Sequence, residues 1–466
     1  MQLYNSMTNR KEDFEGRNGE VKIYACGPTV YNFFHIGNGR AFMVYDVLRR
    51  YLDYKGYKVT FVQNFTDVDD KIIKKANEEG VKFNAVPKKY IDEYFQDADG
   101  LNIRRADVHP KATENIQQII DLVSTLVEKG HAYAVGGDVY FRVRSFPEYG
   151  KLFGQSIDDL EAGARININE NKEDALDFAL WKAAKEGEPY WESPWGKGRP
   201  GWHIECSAMA KRYLGDTIDI HCGGSDLRFP HHENEIAQSE CANGCEFSRF
   251  WFHVGFVNVN NEKMSKSKNN FFTVRDLAKV YGYEPLRYFA VSAHYRMPIN
   301  YEPELIMQAK ASLDRLYNCV DNLDFLKENA TVISRTDEEE KILEKFDVYR
   351  QRFEEAMDDD LNTANAIAAL FEFAKDINKT VETDKFSKEF YINLKTSFMK
   401  LASVLGILYN QGKSELELEV ENLINERNEA RRNKNFARAD EIRDELKERG
   451  IILEDTKDGV KWKTIS

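Results

Sequence analysis

Residues 21–64 hold the pattern that most restricts the fold of this 466-residue chain. A short apolar run, Val21-Lys-Ile-Tyr-Ala25, leads into Cys26-Gly-Pro-Thr29. An amphipathic stretch follows from Arg40 to Tyr54, and a second apolar run spans Lys58 to Asn64. Strand, helix and strand in that order predict a βαβ unit. The fold class is therefore α/β, with a parallel sheet and ligand chemistry at its strand ends.

The rest of the chain divides by texture. Residues 1–118 read as the first half of the α/β domain. From 119 to 200 a helical opening at Ile119–Lys129 gives way to Ala134-Val-Gly-Gly-Asp-Val-Tyr-Phe, a hairpin pattern inside an inserted domain. The α/β texture returns over 201–250 with the strand Ile218-Asp-Ile-His-Cys222 and a helix from His231 to Gln238. A junction domain, 251–301, carries Lys263-Met-Ser-Lys-Ser267. Leu305, Ala309, Leu313, Leu316 and Val320 recur at helical spacing and open a helical bundle over 302–410. In it, Asp360 and Asn362 read as a helix cap. Asn410–Glu421 reads as a polar hinge, and 411–466 as a small C-terminal domain ending in the strand-like Gly459-Val-Lys-Trp-Lys463.

A net charge of -13 argues against a protein that coats nucleic acid without selection, though not against a local basic patch. No secretory leader pattern opens the sequence, and no apolar run nears the roughly 20 residues that cross a bilayer. Six cysteines at irregular spacing do not form a disulfide framework. A cytoplasmic protein with no membrane association is expected.

Two groups of residues carry chemistry. Cys26, Cys206, His231 and Glu235 offer two thiolates, an imidazole and a carboxylate, a donor set suited to zinc. His231 and Glu235 stand four residues apart and would share a helix face. Cys222, Cys241 and Cys245 are rival ligands, although Asn243-Gly244 argues for a turn between the last two, and Cys319 falls in an apolar helical rhythm. His232 should lie off the ligand face, beside the site or at the surface. The same four donors could equally hold an ion that only ties the insertion to the sheet.

The second group faces phosphate. His35-Ile-Gly37-Asn38-Gly39-Arg40 enters a helix just after a strand. Its glycines allow close backbone approach, amides at the helix start can receive phosphate oxygens, and His35 can donate to charge developing on a transferred phosphate. Lys263, Lys266 and Lys268 on a polar loop can neutralise β- and γ-phosphates. Near the C-terminus Arg427, Arg431, Lys434 and Arg438, at spacings of 4, 3 and 4, would gather positive charge on one helix face. Acidic residues from Asp440 onward offer the alternative of a salt-bridged surface helix, and Trp462 fits either base stacking or packing.

Together these segments resemble the class I cysteinyl-tRNA synthetases over nearly the whole chain. The resemblance is carried by Cys26-Gly-Pro-Thr-Val-Tyr through His35-Ile-Gly-Asn, Asn64-Phe-Thr-Asp-Val-Asp-Asp-Lys, Gly201-Trp-His-Ile-Glu-Cys-Ser-Ala-Met, Gly223-Gly-Ser-Asp-Leu-Arg-Phe-Pro-His-His-Glu-Asn-Glu, Lys263-Met-Ser-Lys-Ser, Phe353-Glu-Glu-Ala-Met-Asp-Asp-Asp-Leu-Asn-Thr and Asp440-Glu-Ile-Arg. It implies a Rossmann-like catalytic domain with an inserted domain, then a helical bundle and a small anticodon-recognition domain. It also implies activation of L-cysteine by Mg²⁺-ATP and transfer to the terminal ribose 2′-hydroxyl of tRNA(Cys), by a monomer.

Residue roles follow from the same resemblance. Cys26, Cys206, His231 and Glu235 would bind one zinc in the amino-acid pocket. His35 and Lys266 would be catalytic; Gly37, Asn38, Asp226 and Lys263 would join them in holding ATP, with Asp226 at the ribose. Thr66, Trp202 and His203 would meet the amino acid, and Arg427, Arg431, Lys434 and Arg438 the tRNA. Two departures stand out. Asn38 replaces a histidine common in class I and cannot become cationic. Lys268-Asn269-Asn270 replaces a frequent Leu-Gly-Asn. Rival readings are a cysteine ligase acting on a small amino sugar and a noncatalytic nucleotide- or tRNA-binding protein.

Overall fold

The apolar runs at either side of the first helix pair in parallel, Ile23 beside Phe61 and Ala25 beside Gln63. The computed structural model that shows this describes residues 1–464 except 158, 160–171, 260, 261, 265–270, 384, 411–414, 434, 457 and 458. In chain order, a β1–β2 hairpin (Gln2–Asn5, Arg10–Asp13) precedes β3 (Glu20–Ala25), α1 (Ile36–Tyr54) and β4 (Lys58–Gln63). Helices α2 (Asp70–Glu79), α3 (Ala85–Gly100) and α4 (Ile116–Glu128) lead into the insertion, whose strands are β5 (Ala132–Val135), β6 (Asp138–Phe141), β7 (Phe178–Ala183) and β8 (Gly198–Pro200). Then come α5 (Trp202–Leu214), β9 (Ile218–Gly224), α6 (Glu233–Asn243) and β10 (Ser248–Val254).

The central sheet has the order β10-β9-β3-β4, every pair parallel. The chain winds outward from β3 to β4, then returns to pair β9 with β3 and winds the other way to β10. That reversal makes the gap beyond the carboxyl ends of β3 and β9 a topological switch point, where α/β sheets bind ligands. Burial follows the pattern expected of a sheet covered on both faces: Val21, Ile23, Tyr24 and Ala25 on β3 and Ile218 and Ile220 on β9 are all inaccessible.

The insertion folds as the antiparallel sheet β5-β6-β7-β8. Gly136 and Gly137 have φ of 59° and 88°, which supply the left-handed turn of the predicted hairpin. Phe141, Leu180 and Trp181 pack with α4 residues Ile119, Val123 and Leu126 into its core.

A third sheet, β12-β11-β13, is built from β11 (Val257–Val259), β12 (Glu262–Lys263) and β13 (Ile299–Tyr301). Between β12 and β13 lie α7 (Val274–Tyr281) and α8 (Tyr283–Val291). The remaining helices are α9 (Pro303–Asn329), α10 (Asp337–Asp358), α11 (Thr363–Thr383), α12 (Lys388–Leu405), α13 (Glu415–Arg432) and α14 (Phe436–Glu448), and a β14–β15 hairpin (Ile451–Thr456, Gly459–Thr464) closes the chain.

Two units result. The first comprises Met1–Arg315, Phe346–Ala374 and Phe398–Ile407. In it Asp360 does not cap a helix as expected. Asn362 does, its Oδ1 accepting from the Asn365 amide at 3.1 Å. Asp360 is buried with a φ of 60° and accepts from the Tyr4 amide (2.8 Å), the Tyr295 hydroxyl (2.6 Å) and Arg296 Nε (2.7 Å).

The second unit comprises Leu316–Lys345, Lys375–Ser397 and Leu408–Ser466. Its C-terminal part packs Val420 and Ile424 of α13 against Ile442 and Leu446 of α14 and Ile451 and Leu453 of β14, with Trp462 resting on that cluster. Packing therefore accounts for Trp462. The expected single basic helix face is overturned: the helix breaks between Arg432 and Phe436, and the Asn435 side chain caps the next helix by accepting from the Arg438 amide.

Candidate active site

Everything predicted to bind metal meets at the switch point. Cys26 follows β3 directly and its amide donates to the Cys222 carbonyl at the end of β9 (3.1 Å). Cys206 comes from the first turns of α5, and Glu235 from the first turn of α6. His231 sits in a π-turn, Arg228–His232, that runs into α6. Their ligand atoms all lie within 4.8 Å of one another and all four residues are buried.

The spacings fit an ion. Cys26 Sγ is 3.9 Å from Cys206 Sγ and 3.5 Å from Glu235 Oε1, Cys206 Sγ is 3.7 Å from His231 Nε2, and His231 Nε2 is 3.0 Å from Glu235 Oε1. A tetrahedron with metal bonds of 2.0–2.3 Å has edges of roughly 3.3–3.8 Å. The four donor spacings, 3.0–3.9 Å, bracket the edges of such a shell, with the donors near its corners.

Their protonation states are divided. Burial opposes ionisation of Glu235, but His221 and His231 beside it hold its pKa at about 2. Burial also opposes a charged His231, yet Glu235 and Cys206 lift it to about 10. The hydrogen bond from Cys26 lowers Cys206 to about 6, while burial pushes Cys26 well above the usual thiol range.

Sequence reasoning placed His232 beside the site or at the surface, and missed His221 behind this cluster. His221 Nε2 donates to Glu235 Oε2 at 2.8 Å, and His232 Nε2 lies 3.4 Å from Cys26 Sγ. Cys26, His221, His232 and Glu235 form a second, overlapping donor group. His232 is therefore neither exposed nor remote; its Nδ1 meets His253 Nε2 at 2.9 Å, and Trp251 stacks on His221 at 4.6 Å. The available signal was the inward position of His221 on β9. Cys222 is buried in that strand and stands in neither donor group, and α6 ends at Asn243 with Gly244 left-handed, the expected turn.

Beside the cluster, Trp202 is 41% exposed, which excludes the plain core role. Its ring lies 4.3 Å from that of His231. His203 Nδ1 is 2.9 Å from His231 Nδ1. Thr66 is buried; its hydroxyl donates to Glu205 Oε2 at 3.0 Å and accepts from Asn64 Nδ2 at 3.4 Å.

The phosphate-facing group assembles differently from expectation. His35 is the N-cap of α1, and its Nδ1 accepts from the amides of Gly37 (3.1 Å) and Asn38 (3.3 Å). The Gly39 amide donates to the His35 carbonyl and the Ile36 amide to Phe272 O. The helix-start amides are thus engaged within the protein rather than left open. Acceptance at Nδ1 places the ring proton on Nε2, so the donor offered by this turn is the imidazole itself.

Residues on either side of the lysine segment meet the same turn. A Cβ on Gly37 would meet Met264 Cε at 3.1 Å, and the His35 and Phe271 rings are 5.2 Å apart. Met264 and Phe271 flank Lys266 and Lys268, which lie outside the described residues, as does the side chain of Lys263. Asp226 is exposed just beyond the carboxyl end of β9.

Of the residues assigned to tRNA, Arg427 is buried on α13 and Arg431 exposed on it. Arg438, on α14, is held by Glu426 (2.8 Å) and Glu441 (2.7 Å), and Lys434 lies outside the described residues.

Comparison with known proteins agrees with this arrangement. Residues 14–311 match the class I (C) catalytic domain of tRNA synthetases, residues 352–409 a DALR domain, and residues 413–462 a cysteinyl-tRNA ligase anticodon-binding domain. The fold matches methionyl-tRNA synthetase of Mycobacterium tuberculosis in complex with methionyl-adenylate (TM-score 0.60, 17% identity, covering 83% of this chain and 89% of that one). It also matches a leucyl enzyme, LeuRS of Agrobacterium radiobacter K84 in a ternary complex with tRNA (TM-score 0.59, 11% identity, covering 83% and 85%). Sheet, switch point and paired motifs thus define the class I aminoacyl-tRNA synthetase architecture. In sequence, the cysteine–tRNA ligase of Clostridioides difficile (strain 630) is 56% identical over 466 residues, all of both chains. The chain belongs to the cysteine–tRNA ligase family, and so to the ATP-dependent aminoacyl-tRNA synthetases.

Proposed function

We propose that the chain activates L-cysteine with Mg²⁺-ATP at the switch point and passes it from cysteinyl-AMP to the terminal ribose 2′-hydroxyl of tRNA(Cys). The observation that carries this reading is the buried cluster Cys26, Cys206, His231 and Glu235 beneath the exposed Trp202. These four residues would hold zinc. When bound, zinc supplies a soft Lewis-acid position suited to a thiolate and poorly suited to the hydroxyl of serine.

The chain's own groups do the rest. Trp202 covers the pocket mouth, and Thr66, braced by Glu205, offers a fixed hydroxyl. The carboxylate of cysteine attacks the α-phosphate, pyrophosphate leaves, and His35 Nε2–H donates to the charge that develops, joined by Lys266 and Lys263. Gly37 and Asn38 would shape the turn at the phosphates, and Asp226 would meet the ribose. No side-chain nucleophile is needed. The match of residues 413–462 to an anticodon-binding domain favours tRNA over an amino sugar as acceptor, with Arg431 an exposed cation in that region. Action as a monomer in the cytoplasm is part of this proposal. Among the described residues no helix is long and apolar enough to cross a membrane.

Cysteine-dependent exchange of pyrophosphate into ATP tests this directly. Cysteine should exceed serine by at least about 10³-fold, removal of the metal by a chelator should cut exchange about 100-fold, and zinc should restore it. Exchange indifferent to metal removal would reduce the cluster to a structural tie.

A further inference from the structure

Arg40 is wholly buried one turn into α1, beyond the His35 cap, and every partner found for it is a backbone carbonyl. Its Nη1 donates to Gly255 O and Phe256 O (both 3.0 Å), and its Nη2 donates to His294 O (3.2 Å). Among the described residues no carboxylate lies within ion-pair distance. Burial alone draws its pKa down to about 10, the mark of an uncompensated buried cation. A hydrocarbon of equal size would fill the space at lower cost.

The three carbonyls have one property in common. Gly255 and Phe256 immediately precede β11, which pairs with β12 at the start of the lysine segment. His294 lies on the approach to β13, the other neighbour of β11. The two approaches touch closely: the Gly255 amide donates to Tyr295 O (2.8 Å), the Ile299 amide donates to Phe256 O (2.9 Å), and a Cβ on Gly255 would sit 2.7 Å from Arg296 O. Beyond β12, Met264 rests on Gly37, and Phe272 O and Val274 N bond Ile36 N and Phe34 O (both 3.1 Å). The chain on both sides of the lysine segment is thus registered against the first turn of α1. Arg40 is the residue that ties the strand roots to that helix.

We propose that Arg40 is a positioning residue for adenylate formation, a three-carbonyl clamp that fixes the strand roots of the β11–β12–β13 sheet against the His35 turn. The planar fork reaches both strand approaches at once, which a point donor cannot reproduce. It touches no substrate and acts through the segments it holds. The proposal rests on the reading that the His35 turn and the lysine segment bind ATP.

The test is the pre-steady-state burst of cysteinyl-AMP in the zinc-loaded full chain, for Arg40→Lys, Arg40→Met and, as control, His35→Asn. Arg40→Lys should slow the burst about tenfold and raise the KM for ATP several-fold, with burst amplitude and the KM for cysteine within twofold of the parent; Arg40→Met should slow it further. Amplitude that falls while the rate per active site stays unchanged would mean Arg40 only supports folding, and would overturn the proposal. So would an Arg40→Lys protein indistinguishable from the parent while His35→Asn is slow. A fast burst in His35→Asn would instead overturn the ATP-site reading beneath the proposal. Should Arg40→Met fail to fold, the lysine variant decides alone.

Discussion

His35 caps α1 with one ring nitrogen and is proposed to serve adenylate formation with the other, and the two roles can be separated. Nδ1 caps α1, which puts the ring proton on Nε2. Asparagine is a strong cap but lacks the second donor. His35→Asn should therefore keep thermal stability within about 1 kcal/mol while slowing adenylate formation about 10²–10³-fold, the loss typical of one donor to developing oxyanion charge. A melting curve and a single-turnover rate check both halves. Another histidine contributes to the pH response of the fold. His109 Nε2 accepts from the Ala106 amide and its Nδ1 lies on Gln63 O, both at 3.0 Å, an arrangement open only to a neutral ring. Burial draws its pKa from 6.5 to about 4. The folded value is the lower one, so the stabilisation is complete above 6.5 and is lost as pH falls from 6.5 towards 4. Its size is on the order of 3 kcal/mol at most. Urea unfolding at neutral and acidic pH should show this decline, and His109→Gln should remove that share of it.

At the level of elements, much was legible and the exceptions have physical causes. Apolar alternation located β3, α1 and β4, and the glycine pair at 136–137 located the insertion hairpin. Charge spacing failed across 427–438 because it runs unbroken through a helix end; Asn435 capping the next helix was the contrary signal. Asp360 was read as a local cap, but contacts from Tyr4, Tyr295 and Arg296, all remote in sequence, decide its place. The donor set was legible because its residue types are rare together, whereas His221 lay hidden in a strand with no motif of its own. Asp360→Asn retains the shape and tolerates the left-handed backbone but removes the charge facing Arg296. It should cost about 2–4 kcal/mol in chemical denaturation, and Asp360→Ala more, since it adds unpaired donors and left-handed strain.

For the whole molecule, the proposed activation and acceptor choice fall in different matched segments of the chain. The candidate metal cluster and the His35 turn lie in the segment matched to a class I catalytic domain, and the proposed acceptor rests on the segment matched to an anticodon-binding domain. The most direct test of the central claim is ATP-dependent transfer of labelled cysteine onto total tRNA, with serine and a Lys266→Ala variant as controls. Cysteine should be charged selectively, and the variant should lose about 100-fold or more of the rate. Cysteinyl-AMP formed without any charged tRNA would contradict the account in favour of a small-molecule ligase. Neither activity, in folded and zinc-loaded protein, would contradict it altogether.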